Sequence, residues 1–160
     1  MKSRARADLW PEMLAILKAT HVIKVLILAG VFLLFDQASK RLAALRTDAQ
    51  PIGCGRLLKI RPTANPQAML HAGNPRIIFP LLWLIALASA VLLYKSGMWF
   101  RSESALLGLG LAFSGAAGNL LDLLRRNCVV DFIDLGWWPV FNLADVGIVA
   151  GLVMAFWPRG

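Results

Sequence analysis

The sequence predicts an all-α membrane protein with four transmembrane helices and a small extracytoplasmic β element. Three observations lead there. The chain of 160 residues is 58% hydrophobic and 16% charged, with a positive mean hydropathy, a balance outside the range of ordinary soluble domains. Four apolar segments recur along it, to be set against the ~20 helical residues that cross a hydrocarbon core. Between the first two lies a stretch too short for an independent domain but containing a strand-like run, "RLLKIRPTA". With no internal repeat and no low-complexity tract, residues 1–160 read as one integral membrane domain.

Taken in order, residues 1–20 are a basic leader, "MKSRARADLW" at its start, which favours a cytoplasmic N-terminus. No small-residue cleavage site follows the first apolar run, so the leader does not read as a removable signal. The first span covers residues 21–35 and ends in "DQASK". Residues 41–76 form an extracytoplasmic loop rich in Gly, Pro and Arg, expected to fold as a small sheet over the helices. The second span, 77–94, carries no charge and places Pro80 in its first turn, where a missing amide proton does least harm. The third span is 105–124 and the fourth 140–157. Gly108, Ala112 and Ala116 recur every four residues, and Gly147 with Gly151 makes a GxxxG, both patterns of close helix packing. Trp137, Trp138 and Trp157 are expected as interfacial anchors. Lys and Arg divide almost evenly between the two sides, so the leader alone decides orientation.

A net charge of +8 would suggest nucleic acid in a soluble protein. Here no basic stripe is interleaved with aromatics and no nucleic-acid motif is present, so no nucleic acid is expected. Membrane lipids with anionic headgroups are the expected counter-charge. Cys54, Cys128, His21 and His71 lack the paired spacing of a zinc site, so neither metal nor cofactor is expected. A disulfide between the two cysteines stays open.

Polar residues inside the spans carry the functional argument. An ionisable side chain there costs about 2.5 to 3.5 kcal/mol on insertion scales, which makes each a candidate site residue. Asp36 and Lys40 stand at i,i+4, the favourable order for an ion pair. Asn119 with Asp122, and Asn142 with Asp145, stand at i,i+3 on shared helix faces. The topology puts all three pairs at one depth. Two carboxylates held close in a low dielectric share a proton. One then deprotonates a water while the other hydrogen-bonds the scissile carbonyl, hydrolysing an amide without a covalent intermediate. Asp131 and Asp145 are the expected pair, brought together if the chain turns at "LGWWP". Ser39 and Lys40 point apart on a helix, and Ser114 lacks the flanking glycines of a nucleophile elbow, so a serine hydrolase is disfavoured. The competing readings are polar glue between helices, a proton or ion pathway, and a non-proteolytic protein that binds a lipidated or helical membrane partner.

Five stretches, "FDQASK", "TANPQAM", "GAAGNLLD", "VVDFIDL" and "FNLAD", resemble in order and spacing signal peptidase II, the bacterial prolipoprotein signal peptidase family. The resemblance implies a four-span intramembrane aspartyl endopeptidase of the cytoplasmic (inner) membrane, needing no metal, with its active site on the extracytoplasmic face. It implies Asp131 and Asp145 as the catalytic pair. It implies further that Asp36, Lys40, Asn65, Asn119, Asp122 and Asn142 support the site or contact substrate. The implied substrate is a diacylglyceryl-cysteine precursor cut just before the modified cysteine, and the implied inhibitors are of the globomycin type. Where the family carries an arginine after the span-three aspartate, this chain has Leu123, with Arg125 and Arg126 two and three positions on.

Overall fold

A computed structural model describes residues 2–45, 52–54, 58–65, 74–97, 99–100 and 102–157, with side chains for 19–45, 74, 76–97, 99–100 and 102–157. Its elements are α1 (Lys2–Ala44), β1 (Ile52–Cys54), β2 (Leu58–Asn65), α2 (Pro75–Lys95), α3 (Glu103–Arg126), β3 (Val129–Asp134) and α4 (Leu143–Phe156). The expected order of spans is present, but three helices start or stop elsewhere than the apolar runs suggest.

The first helix does not end at residue 35. Its membrane-compatible part runs Ala19–Ala44, because Asp36 pairs with Lys40 and Lys40 with Asp122 of α3, so these two buried charges do not end it. The second begins at Pro75, capped by Asn74, whose side chain accepts a hydrogen bond from the Arg76 amide at 3.0 Å. Pro80 therefore falls in the second turn rather than the first. It removes the donor that would have reached the Arg76 carbonyl.

The fourth differs most. Residues 140–142 are apolar or small enough to read as helix, yet Phe141 pairs with Ile133 of β3 in an antiparallel bridge. The helix then starts at Leu143 and has 14 residues, about 21 Å at ~1.5 Å each, short of a ~30 Å hydrocarbon core. Three described helices have the length and composition to cross a membrane, Ala19–Ala44, Arg76–Lys95 and Glu103–Arg126, and α4 is the shorter apolar fourth.

α3 is the central post, and its small residues decide how near its neighbours come. A Cβ added at Gly108 would lie 2.6 Å from the Gly151 carbonyl oxygen, and one added at Gly151 would lie 2.5 Å from the Ala112 nitrogen. One added at Gly115 would strike the Ala144 carbonyl. The expected seam is therefore real at Gly108 and Ala112, but its third member is Gly115; Ala116 turns to a cavity instead. A second seam faces α1, where a Cβ on Gly110 would meet Val25 at 2.6 Å and one on Gly118 would collide with Asp36. Gly147 of α4 leaves room for the Phe32 ring. Between the glycines of that second seam, the Ser114 hydroxyl donates to the Ala29 carbonyl, so it is a helix-packing group rather than a nucleophile.

The strand-like run is β2, as expected, and forms a three-stranded antiparallel sheet in the order β1-β2-β3. Asp131 stands opposite Thr63, and Asn65 opposite Val129, with an irregularity between Ile60 and Thr63. α3 ends on Asn127 in the left-handed conformation, φ 59°, a state asparagine tolerates better than other residues with a side chain. That turn sends the chain directly from helix into β3. After β3 the turn is held by the Asp134 carboxylate, which accepts from the Gly136 amide at 2.7 Å. Trp137 and Trp138 follow on the surface, 74% and 56% exposed, as interfacial anchors would be.

Candidate active site

The start of α4 explains the polar residues. A helix that begins buried among other elements needs protein partners for its first amide protons. Asn142 is not on a helix face, as its spacing suggests, but is the N-cap, and it forms a reciprocal capping box with Asp145. Its side-chain oxygen accepts from the Asp145 backbone amide at 3.1 Å, and its own backbone N–H donates to Asp145 Oδ2 at 3.0 Å. The same three-residue spacing serves both geometries, and the bridge at Phe141 selects the cap. Asp36 Oδ1 from α1 accepts from the Ala144 amide at 2.9 Å, so a second carboxylate also closes this end.

From there one network joins four elements. Asn142 Nδ2 donates to Asp131 Oδ1 at 2.7 Å and to Asn119 Oδ1 at 3.1 Å. Asn119 Nδ2 donates to Asp145 Oδ1 at 2.8 Å. Lys40 Nζ donates to Asn119 Oδ1 at 2.9 Å and lies 2.9 Å from both Asp36 Oδ2 and Asp122 Oδ2. Asp36, Lys40 and Asn142 are fully buried, and Asp122 and Asp131 nearly so. An ammonium between two carboxylates is an arrangement in which buried charge is tolerated, since each member is paired and hydrogen-bonded.

Seven of the eight sequence-derived site residues thus meet in one cluster. Asn65 has its backbone in β2 beside Val129; its side chain, and the rest of "TANPQAM" after it, lie outside the described residues. Three contributors were not singled out. Gln37 donates to Asp36 Oδ2 at 3.2 Å, to the Gly118 carbonyl at 3.2 Å and to Asp122 Oδ1 at 3.4 Å. Gly118 lets Asp36 approach α3. Arg126 Nη1 lies 3.7 Å from Asp122 Oδ1, so a guanidinium reaches this aspartate from one helical turn on, although Leu123 follows it in sequence. Cys128 is a free thiol.

Asp131 and Asp145 face one cavity of about 690 Å³, walled by α2, α3 and α4, with Trp83, Phe113 and Ala116 among its apolar lining. The two carboxylates come from a strand and from a helix N-terminus, and Asn142 bridges them. Nearly every other group on the wall is apolar, which suits a site whose polar work is confined to one end.

Comparison with known proteins agrees with this architecture. Residues 28–158 match the family described as signal peptidase (SPase) II. The chain is 37% identical over 145 residues to a lipoprotein signal peptidase of Rhodococcus jostii (strain RHA1), covering 84% of this chain and 72% of that one. It is 36% identical over 140 residues to a lipoprotein signal peptidase of Moorella thermoacetica, covering 82% and 89%. In fold it is similar to a bacterial membrane enzyme solved by the in meso method at 1.9 Å, with a TM-score of 0.69 and 23% identity over 82% of this chain and 88% of that one. A protein that only holds a membrane partner is not favoured by these relatives. The chain belongs to the signal peptidase II family and is a multi-pass bacterial membrane aspartic protease.

Proposed function

We propose that the chain removes signal peptides from lipid-modified prolipoproteins with Asp131 and Asp145 as its catalytic dyad. The observation that carries the assignment is that these two carboxylates, bridged by Asn142, meet at the polar end of one apolar cavity. A water between them loses a proton to one carboxylate as its oxygen attacks the scissile carbonyl, while the other, protonated, carboxyl donates to the developing oxyanion. Collapse of the tetrahedral intermediate breaks the C–N bond, and the departing nitrogen takes a proton from the dyad. Asn119 and Asn142 orient Asp145 through its two oxygens. Asp36, Lys40 and Asp122 brace that pair by fixing Asn119 and the start of α4, and Asn65 is the supporting or substrate-contacting residue that the family resemblance implies.

The substrate in this reading is a precursor bearing a diacylglyceryl-cysteine, cut just before that cysteine. It reaches the cleft sideways from the bilayer, so only its peptide needs polar company. The enzyme sits in the cytoplasmic (inner) membrane among anionic lipids, with the dyad toward the extracytoplasmic face, and a globomycin-type inhibitor occupies the same cleft. The test is a fluorogenic lipopeptide given to the purified chain, to Asp131→Asn and to Asp145→Asn. Each variant is expected to keep its fold and lose turnover by orders of magnitude, and globomycin is expected to silence the parent. Undiminished cleavage by both variants would falsify the dyad.

A further inference from the structure

The dyad occupies only one end of its cavity. Beyond Asp131 and Asp145 the space is also lined by Ala112, Leu93, Leu152, Phe156 and Phe100. Asp145 and Phe156 lie on the same helix, so a rise of ~1.5 Å per residue puts this far end about 16 Å from the carboxylates. Aromatic rings pack together there. Phe100 and Phe156 pack edge to face with centroids 5.4 Å apart, and Trp99 packs on Phe156 at 5.9 Å. Phe100 is only 5% exposed and holds φ 58°, a left-handed backbone that a bulky side chain adopts at a steric cost. Such conformations persist where surrounding packing enforces them, and they concentrate at functional positions. Here the ring is clamped by Ala105 and Ala155.

We infer that Phe100 and Phe156 determine specificity: they are the blind end of a trough for an acyl chain carried by the substrate's modified residue, and they set the longest chain it accepts. The inference rests on the proteolytic reading above. A peptide segment continuing toward the other face of the membrane needs an open path, whereas an acyl chain ends in a methyl group and suits a closed one. Size agrees. At ~30 Å³ for a water-sized group, the 690 Å³ cavity holds about two dozen such groups. That is the scale of one acyl chain with its glyceryl linker, not of a helix that crosses the bilayer. Because the chain is already out of water in the bilayer, burial by itself gives no preference. Contact with a fixed end does, since an overlong chain must displace the rings or leave the trough for the bilayer, and a short one leaves a void.

The experiment uses the full chain in lipid nanodiscs and synthetic lipopeptides of one peptide sequence with stepwise longer acyl chains. For the parent, kcat/KM is expected to peak and then to fall about tenfold once the chain overruns the trough, the size of effect one misplaced methylene produces in a fitted pocket. Phe156→Ala, at a half-exposed position, is expected to move the peak to longer chains, and Leu93→Trp to shorter ones. An unchanged peak in both variants, each melting near the parent temperature, overturns the inference. So does a peak that follows the length of the peptide's apolar segment instead. Binding of the same series with a reduced, uncleavable scissile bond separates the two claims. If nothing is cleaved, the proteolytic reading fails, and a length optimum in binding that shifts in the variants still decides this one.

Discussion

Asn142 shows how a single residue can be both scaffold and chemistry. Its side-chain oxygen caps α4 while its side-chain NH2 holds Asp131 and Asn119, so substitutions can separate the two tasks. Asn142→Ser keeps a capping oxygen and loses the amide; turnover of a lipopeptide is expected to drop at least about tenfold through the misaligned dyad, an effect that a small displacement of a positioning group can produce. Asn142→Ala loses the cap as well and is expected to be about 1 kcal/mol less stable than Asn142→Ser. Thermal unfolding in detergent measures that difference, and equal stabilities would remove the cap from the account. The cluster itself was legible because each polar residue in an apolar run is expensive, and Asp36, Lys40, Asn119, Asp122 and Asp145 all advertise that expense. What the cap does was not legible, because an asparagine three residues before an aspartate fits a helix face as well as a capping box. Gln37 gave no signal either. Its partners on α3 lie 81 and 85 positions away, a distance no local pattern encodes.

At the scale of elements, the proposed dyad is only as well placed as α4 is against α3. Gly151 and Gly108 let the two backbones touch, and a methyl at Gly151 would strike them. Gly151→Ala is therefore expected to push α4 outward, lowering stability by about 1 to 3 kcal/mol as overpacking does and lowering turnover with it, because Asp145 rides on that helix. Gly30→Ala is the matched control: nothing lies within 4 Å of the added methyl, so better helix propensity is expected to stabilise the chain by up to about 1 kcal/mol. Unfolding curves for both, beside kcat, test the seam; equal behaviour would show that close approach is not what positions α4. The glycines were readable from their spacing, as was β2 from its composition. β3 was not. Its burial does not alternate along Val129–Asp134, since the strand is covered on both sides and buries a carboxylate, a residue type depleted in strands. Without β3, nothing in the sequence says that Phe141 is withdrawn from the fourth apolar run and that the helix starts late.

For the whole molecule, the proposed substrate depends on which face of the membrane the proposed dyad serves. Charge is a weak guide, because basic residues stand on both sides of the bundle and only the N-terminal leader breaks the tie. The fold sharpens the question: the sheet, Trp137 and Trp138 lie at the dyad end, and Lys95 is exposed at the other. The proposed substrate, an exported precursor, requires the dyad end outside. In a Cys54→Ser, Cys128→Ser background, Trp137→Cys is accordingly expected to react with a membrane-impermeant maleimide on intact spheroplasts. Lys95→Cys is expected to react only after permeabilisation. The reverse pattern would place the dyad in the cytoplasm, where a precursor already moved across the membrane cannot reach it, and the proposed substrate would have to be abandoned while the fold and the cluster stood unchanged.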